Sequence, residues 1–312
     1  MKWLVAVLAV CVLVSSAHCA SDSVPWCYHL PECNYTTWPT IATNFCNGTR
    51  QSPIDINTSN VKENSNLSAF TFVNFDSTTA MSKIENTGKT IKVLLNSGVT
   101  VSGGDLPQTF ESLQFHLHWG NGTSVPGSEH TVDGKRYPME LHIVNIGASF
   151  NGNTTLAVAD PKGLAALGFF IEVGNSTGQP GSWRNLSSYL SSIRNQGESV
   201  SIVPGFSIND FLVGVNLNSY YRYLGSLTTP NCNEAVVWTV FKDTIKVSSE
   251  IINLFSEMPR IGNNESQLMV NVYRGIQPVQ EVTTQVRETT SSSSKACYSL
   301  GLLALGLTLG RH

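Results

Sequence analysis

Charged residues are scarce in this sequence. Asp, Glu, Lys and Arg together make up 13% of its 312 residues, and the formal net charge at pH 7 is -3. No cluster of Lys and Arg occurs along the chain. Nucleic acids and anionic membrane surfaces attract proteins through such clusters, so neither is an expected partner.

The sequence also lacks an apolar run of the roughly 20 residues that a membrane-spanning helix needs. The amino-terminal run from Leu4 to Val14 is shorter, follows Lys2 and precedes small residues. This order is typical of a secretory signal peptide. We therefore predict that residues 1–20 are a signal peptide and that the mature chain is exported.

The carboxyl terminus combines small residues with another short apolar tail. Lys295 separates the serines at 291–294 from residues 296–310, which are mostly apolar residues and Gly. This is typical of a glycosylphosphatidylinositol (GPI) attachment signal; a spanning helix is the weaker alternative because the tail is short. We predict a Ser/Thr stalk with the attachment region at 281–294 and a removed propeptide at 295–312. The candidate attachment residues are Ser291, Ser292, Ser293 and Ser294.

Closely spaced cysteine pairs, which are typical of structural zinc sites, are absent from the predicted mature chain. Its cysteines are Cys27, Cys33, Cys46 and Cys232. In an oxidising compartment four cysteines predict two disulfide bonds, and the sequence alone leaves three pairings open.

Sequons for N-glycosylation are frequent, which suits an exported surface. The candidate residues are Asn34, Asn47, Asn57, Asn66, Asn121, Asn153, Asn175, Asn185 and Asn264. The sequence does not determine which of them carry glycan.

Neither a low-complexity linker nor an internal repeat divides residues 21–280, so we predict a single domain there. Short alternating or apolar runs predict strands at Ile91–Leu95, Ser112–Trp119, Met139–Ile146, Ala165–Val173, Phe211–Val215 and Ala235–Phe241. Helical patterns are fewer and cover Trp183–Arg194 and Ser248–Met258. The predicted fold class is mainly β (α+β) with a few short surface helices.

Two histidines, His116 and His118, lie two residues apart in one predicted strand. Alternate side chains of a strand face the same side, so both imidazoles project together. His142 can complete three nitrogen ligands if its strand is a neighbour. Three protein ligands leave one position of a tetrahedral zinc ion open, as in catalytic sites. The simpler alternative is that each histidine is an ordinary polar residue of a sheet.

Several motifs occur in the order and approximate spacing of the animal-type (α-class) carbonic anhydrases. They are Arg50 to Ile56, Gln114 to Gly120, Gly127 to Thr131, Glu140 to His142, Ser226 to Pro230 and Leu268 to Val270. The chain resembles this family over nearly all of the predicted mature sequence, and most of all its GPI-linked, type four branch. The resemblance implies a twisted, mostly antiparallel sheet of about ten strands and a conical pocket leading to Zn²⁺. It also implies the disulfides Cys46–Cys232 and Cys27–Cys33.

The same resemblance implies reversible hydration of carbon dioxide to bicarbonate and a proton by zinc-hydroxide attack. Thr228 would accept the hydrogen of the hydroxide and pass its own to Glu129, and Thr229 would contact bicarbonate. An apolar wall would hold carbon dioxide, formed by Val144, Ala166, Leu227, Val236 and Trp238. Without the resemblance these apolar residues would be assigned to an ordinary core.

Residues beside the ligands are expected to orient them. Gln114 would contact His116 and Glu140 would contact His142, because residues two apart on a strand share a face. His130 is expected to be a buried, structural hydrogen-bonding residue.

One position departs from the family pattern, because Lys89 stands where a proton-shuttling histidine often lies. An unperturbed imidazole titrates near 6.5 and an ammonium near 10.4, so an exposed lysine is a poor shuttle at neutral pH. The sequence therefore predicts turnover limited by proton transfer and rescued by imidazole, unless His29 or another group supplies a route.

The sequence allows two other functions besides carbon dioxide hydration. A non-catalytic binding module is disfavoured because all three histidines, Thr228 and Glu129 are present. Ester hydrolysis would use the same hydroxide and is treated as a side activity. The predicted location is the outer face of the plasma membrane, where the enzyme would speed the equilibrium between carbon dioxide, bicarbonate and protons. A bicarbonate transporter is a partner that the sequence leaves open.

Overall fold

The structure is a computed structural model, and it describes residues 26–42, 45–174, 181–262 and 267–286. The predicted signal peptide, the GPI attachment serines, the propeptide, Asn175 and Asn264 lie outside these ranges. Within them, every helix is too short or too polar to cross a lipid bilayer.

Strands dominate the described residues. In chain order they are β1 Asp55–Ile56, β2 Lys62–Glu63, β3 Phe70–Val73, β4 Met81–Asn86, β5 Ile91–Leu95, β6 Thr100–Gly103, β7 Phe110–Trp119, β8 Thr131–Val132, β9 Lys135–Arg136, β10 Met139–Gly147, β11 Leu164–Val173, β12 Ser199–Ser201, β13 Tyr220–Gly225, β14 Val236–Phe241, β15 Ile245–Val247 and β16 Thr283–Thr284. The α-helices are α1 Trp38–Ile41, α2 Thr154–Ala157, α3 Ser182–Ser188 and α4 Ser249–Glu257. Short 3-10 helices cover Ala148–Phe150, Tyr189–Ser192 and Asn209–Phe211.

Thirteen of the strands form one mixed sheet, which confirms the predicted fold class. Its main path runs β12-β4-β5-β7-β10-β11-β14-β13-β16-β2, with β3, β6 and β15 attached beside it. Most neighbours are antiparallel, but β11 runs parallel to both β14 and β15. A smaller sheet contains β1, β8 and β9.

Five of the predicted strands are present as β5, β7, β10, β11 and β14, but the strand predicted at Phe211–Val215 is wrong. The segment forms a 3-10 helix over Asn209–Phe211 and then turns, with Gly214 at a φ of 90°. Polar contacts start this turn, because Asp210 Oδ2 accepts from Ser207 N at 2.8 Å and Ser207 Oγ accepts from Asp210 N at 3.3 Å. Such local side-chain bonds compete with strand pairing.

The predicted helices are present with shifted ends. The first is divided into α3 and the 3-10 helix Tyr189–Ser192. The second is α4, which begins after Ser248, whose side chain accepts a hydrogen bond from the backbone N–H of Ile251.

Successive side chains of β7 face opposite sides of the sheet, one side being the hydrophobic core and the other a polar site. Phe115 and Leu117 point into the main hydrophobic core and are each 1% exposed. His116 and His118 therefore project from the opposite face of the sheet. The same face holds a second apolar cluster that contains Ala166 and Trp238.

Candidate metal centre

The three histidines meet because β7 and β10 are antiparallel neighbours. His142 lies opposite His116 in the register, and Glu140 lies opposite His118. The ring centroid of His116 is 5.0 Å from that of His118 and 5.3 Å from that of His142. The ring centroids of His118 and His142 are 4.6 Å apart. One candidate ligand atom from each ring lies within 4.8 Å of the others, which suits a single metal ion.

Each imidazole is oriented through its second nitrogen. His116 Nδ1 lies 3.0 Å from Gln114 Oε1, and His142 Nε2 lies 2.7 Å from Glu140 Oε1. His118 Nδ1 lies 2.8 Å from the carbonyl oxygen of Val272. These contacts leave His116 Nε2, His118 Nε2 and His142 Nδ1 to face the centre of the cluster. Such outer contacts fix the ring and its tautomer in zinc sites.

Two features of the donor set fit zinc. His118 Nε2 is buried and has no hydrogen-bond partner among the described residues, and a buried polar atom is costly to leave unpaired. Burial, followed by the neighbouring His118 and His142, lowers the pKa of His116 well below its usual value, and burial also lowers the pKa of His118. Neutral imidazole is the form that binds a metal ion.

A second group of candidate ligands, His130, Glu140 and His142, is less suitable. His130 Nδ1 contacts Glu140 Oε1 at 2.7 Å and His130 Nε2 contacts the Tyr223 hydroxyl at 2.7 Å, so both ring nitrogens are occupied. His130 is therefore the buried hydrogen-bonding residue that the sequence predicts. Burial alone would raise the pKa of Glu140, but His130 and His142 bring that pKa well below its usual value.

Glu129 lies next to the histidine cluster. Its Oε2 lies 3.3 Å from His118 Nε2 and 3.9 Å from His142 Nδ1. Its Oε1 accepts a hydrogen bond from the backbone N–H of Arg274 at 2.7 Å. Oε2 has no hydrogen-bond partner within the described ranges, so the bond from Thr228 implied by the resemblance is not formed in this structure. The role of that pair stays a prediction.

A narrow, mostly apolar cavity opens beside His116 and His142. All five residues of the predicted apolar wall line it together with Thr228: Val144, Ala166, Leu227, Val236 and Trp238. Leu164 and Ala165 also line it, although the sequence did not distinguish them from core residues. The cavity volume is about 30 Å³, whereas one water needs ~10–15 Å³. A space of this size and apolar lining suits a very small apolar molecule next to the imidazoles.

The turn that carries Thr228 and Thr229 is fastened by a disulfide. Cys46 and Cys232 are bonded, as are Cys27 and Cys33, which confirms both implied pairings. Cys232 N also donates to the carbonyl oxygen of Thr229 at 2.8 Å. The Cys46–Cys232 bond closes a separation of 186 residues, for which chain entropy alone corresponds to about 5 kcal/mol of stabilisation.

Close backbone packing places the segment that carries Glu129. Gly127 lies against the end of β7, where an added Cβ would be 1.8 Å from the backbone nitrogen of Gly120. No side chain fits there, which explains the glycine in the Gly127 to Thr131 motif. The contact brings Glu129 within reach of His118.

Two lysines lie in or just before β5, the strand next to β7. Lys92 lies opposite His116 in the register and pairs with Glu85 at 2.7 Å. Lys89 is partly buried, with its Nζ 5.2 Å from the ring centroid of Trp26. This burial lowers the pKa of Lys89, so the prediction of an exposed lysine is wrong.

Six of the described sequon asparagines are exposed, and Asn34 is partly exposed. The exposed set is Asn47, Asn57, Asn66, Asn121, Asn153 and Asn185. Their placement is compatible with glycosylation, which stays a prediction.

Some parts of the site gave little signal in the sequence. The orienting group for His118 is a backbone carbonyl, which no side-chain pattern marks. Arg274, whose side chain donates to Gln51 Oε1 and to the carbonyl oxygen of Ser52, each at 2.8 Å, is 1% exposed. A lone Arg in the sequence does not indicate such burial.

Comparisons with family models and with known proteins agree on one family. The family model of eukaryotic-type carbonic anhydrases matches residues 33–287. Carbonic anhydrase 4 of Mus musculus is 34% identical over 289 residues, which cover 90% of this chain and 88% of that protein. Carbonic anhydrase 6 of Bos taurus is 37% identical over 235 residues, which cover 75% of this chain and 72% of that protein. Carbonic anhydrase 12 of Homo sapiens is 32% identical over 268 residues, which cover 85% of this chain and 73% of that protein. With the histidine cluster in place for the zinc on which this family depends, the chain belongs to the eukaryotic-type carbonic anhydrases.

Proposed function

We propose that this enzyme holds Zn²⁺ through His116, His118 and His142 and catalyses the reversible hydration of carbon dioxide at the outer cell surface. The observation that supports this most strongly is the juxtaposition of three imidazoles with a small apolar cavity. A linear, apolar molecule of three heavy atoms suits that cavity, and bicarbonate leaves as the charged product.

When held by His116, His118 and His142, the ion would supply a nucleophile at neutral pH, because in carbonic anhydrases zinc lowers the pKa of a coordinated water to about 7. The chain's own residues prepare the site for it. Gln114, Glu140 and the Val272 carbonyl fix the three rings, so that the ligand nitrogens are arranged before the metal binds.

Thr228 and Glu129 orient the attack in this proposal. Thr228 lines the cavity and is 6% exposed, while Glu129 Oε2 is buried and free to accept a hydrogen bond from the Thr228 hydroxyl. A threonine held in this way can accept only one hydrogen from the attacking oxygen, which directs the lone pair of that oxygen at the carbon. Thr229 follows in the same turn and would contact bicarbonate.

Replacing Thr228 tests this orientation. Thr228→Ala is expected to lower kcat/KM for hydration by on the order of a hundredfold, the usual loss for one preorganised hydrogen-bonding group. Thr228→Ser retains the hydroxyl and is expected to recover most of the rate. Zinc content should remain unchanged in both variants, and equal loss in the serine variant would contradict the hydrogen-bonding role.

Hydration of carbon dioxide by the purified chain, residues 21–290, is the direct test of the function. We expect one zinc ion per chain and hydration that stops when a chelator removes it. A folded, zinc-loaded chain without activity would indicate a binding module instead.

The surface location rests on the two ends of the chain. The predicted signal peptide at 1–20 and the GPI attachment region at 281–294 would export the enzyme and anchor it by lipid. Phosphatidylinositol-specific phospholipase treatment of intact cells is expected to release the activity into the medium, and Ser291 to Ser294 can be replaced together to locate the attachment site. Activity that stays on the cells would argue against this anchor.

A further inference from the structure

Arg274 is buried next to Glu129, and the roles described so far do not use its side chain. Burial lowers the pKa of Arg274 to about 10, so the guanidinium stays charged at pH 7. Its hydrogen bonds go to the side-chain oxygen of Gln51 and to the backbone carbonyl oxygens of Ser52 and Cys46. All three acceptors are uncharged. A charge placed in the interior on neutral acceptors is costly, which calls for a role beyond packing.

The backbone of the same residue holds the carboxylate of Glu129. Arg274 N donates to Glu129 Oε1 at 2.7 Å, and a hydrogen bond to a carboxylate is stronger than one to a neutral acceptor. Glu129 Oε2 has no hydrogen-bond partner in the described part of the chain and lies 3.3 Å from His118 Nε2. The position of the Arg274 N–H therefore determines which oxygen of Glu129 faces the metal centre.

The guanidinium of Arg274 holds two neighbouring residues, Gln51 and Ser52. Its Nη1 donates to Gln51 Oε1 and to the carbonyl oxygen of Ser52, each at 2.8 Å. Its Nη2 lies 3.4 Å from the carbonyl oxygen of Cys46. The ring centroid of Trp38 is 5.6 Å from Cζ of the guanidinium. Several directed bonds fix this planar group in one orientation.

Gln51 and Ser52 in turn hold both ends of residues 226–232, which we call the Thr228 turn. At its start, Ser226 N donates to Ser52 Oγ at 3.0 Å, and Ser52 N donates to Ser226 Oγ at 2.9 Å. At its end, Gln51 Nε2 donates to the carbonyl oxygen of Cys232 at 3.1 Å. The Thr228 turn is therefore fastened at both ends to the residues that the guanidinium holds.

We propose that Arg274 is a positioning residue that holds Glu129 and Thr228 at the spacing their hydrogen bond requires, the first through its backbone N–H and the second through its guanidinium. This inference rests on the proposed function, in which Thr228 donates to Glu129. The two residues belong to distant segments, and Arg274 contacts the first directly and the anchors of the second. Displacement of a reacting group by about 1 Å can cost about a hundredfold in rate.

Gln51→Met tests this role without changing Arg274. Methionine is close to glutamine in length, but its thioether is a weak acceptor and donates nothing. The variant is expected to retain its zinc and its circular dichroism. Its kcat/KM for hydration should fall by ~10–100-fold, the usual effect of removing an outer contact of a metal site. A Gln51→Met enzyme with native kcat/KM would overturn the role.

A double variant separates positioning from general damage. If Gln51 acts through Thr228, Gln51→Met should cost little in a protein that already carries Thr228→Ala, because the positioned hydroxyl is absent. The double variant is therefore expected to have the same kcat/KM as Thr228→Ala alone. Losses that multiply would show that Gln51 acts on another part of the site and would contradict the proposal.

Arg274→Lys tests the guanidinium itself, and Arg222→Lys is its matched control. An ammonium cannot reproduce the fork of bonds to Gln51 and Ser52, so kcat/KM should fall as in Gln51→Met. Arg222 is also buried, but its guanidinium bonds Thr239 Oγ1, so Arg222→Lys should lose stability and keep kcat/KM. Equal losses of kcat/KM in the two lysine variants would refute the role. If Arg274→Lys does not fold, Gln51→Met decides.

Hydrogen exchange tests the geometry without activity. In the zinc-loaded protein, the bond to Glu129 is expected to protect the amide of Arg274 from exchange. Gln51→Met should lower that protection by about tenfold or more relative to the amides of β14, and Arg222→Lys should not. Unchanged protection in Gln51→Met would show that the guanidinium does not set the backbone position and would overturn the proposal. An inactive native enzyme would instead refute the proposed function, and the exchange result would still decide the role of Arg274.

Discussion

Replacement of His118 by alanine is expected to remove bound zinc and, with it, carbon dioxide hydration. His118 is 1% exposed, and its Nε2 has no hydrogen-bond partner among the described residues. Loss of one of three protein ligands leaves a site too weak to retain the ion, and zinc contributes several kcal/mol to the reaction. The expected fall in kcat/KM is on the order of a thousandfold or more. Zinc content by atomic absorption and hydration by stopped flow measure both effects.

The control for this variant separates metal loss from misfolding. His29→Ala changes a histidine outside the cluster and is expected to retain zinc. Native protein treated with chelator and His118→Ala should show the same circular dichroism and the same urea midpoint. A His118→Ala protein that keeps a full zinc ion and full activity would contradict the assignment.

Replacement of Glu140 is expected to weaken both folding and zinc binding. Glu140 is fully buried; its Oε1 contacts His130 Nδ1 and His142 Nε2 at 2.7 Å each, and its Oε2 accepts from His130 N at 2.8 Å. Glu140→Ala leaves these groups unpaired and should cost about 3–5 kcal/mol of unfolding free energy, as expected for a broken buried pair. Zinc affinity should fall by ~10–100-fold, because His142 loses its orienting partner. Urea unfolding of the metal-free protein and chelator competition measure the two losses.

Glu140→Gln retains the shape of the side chain but not its charge, and Glu257→Gln is a matched control at an exposed position of α4. The glutamine variant should lose less stability than the alanine variant, and Glu257→Gln should be near neutral. Equal losses of unfolding free energy in Glu140→Ala and Glu140→Gln would show that the shape of the side chain contributes nothing to stability.

The same residue predicts how stability depends on pH. Because the folded-state pKa of Glu140 is well below its usual value of 4.5, the carboxylate stabilises the metal-free protein fully above that value. This contribution is lost as the pH falls through the folded-state pKa. The difference in unfolding free energy between native protein and Glu140→Gln should therefore be constant near neutral pH and shrink only below about 4.5.

The sequence predicted the parts of the site that depend on strand parity. His116 and His118 share a face with Gln114, and His142 shares a face with Glu140, because a strand has a period of two residues. The register that brings His142 opposite His116 does not follow from strand parity, since it depends on pairing between distant segments. The resemblance to a known family, which rests on the order of the motifs, indicates that the three histidines share one site.

Other features depended on three-dimensional context. Phe211–Val215 is apolar enough for a strand, but the Ser207 and Asp210 side chains start a turn before it. The Val272 carbonyl and the burial of Arg274 have no local signature. Lys89 was expected to be exposed, yet the Trp26 ring from the amino-terminal segment packs beside it.

The contact between His118 and the Val272 carbonyl spans 154 residues, and the contact between Arg274 and Glu129 spans 145. Contacts of such long range form late in folding, because the loops between them must close first. During synthesis, the histidines emerge well before the segment that orients His118. A chain that captures zinc tightly has therefore already placed the segment around Val272, and retention of the metal can serve as a record of completed folding.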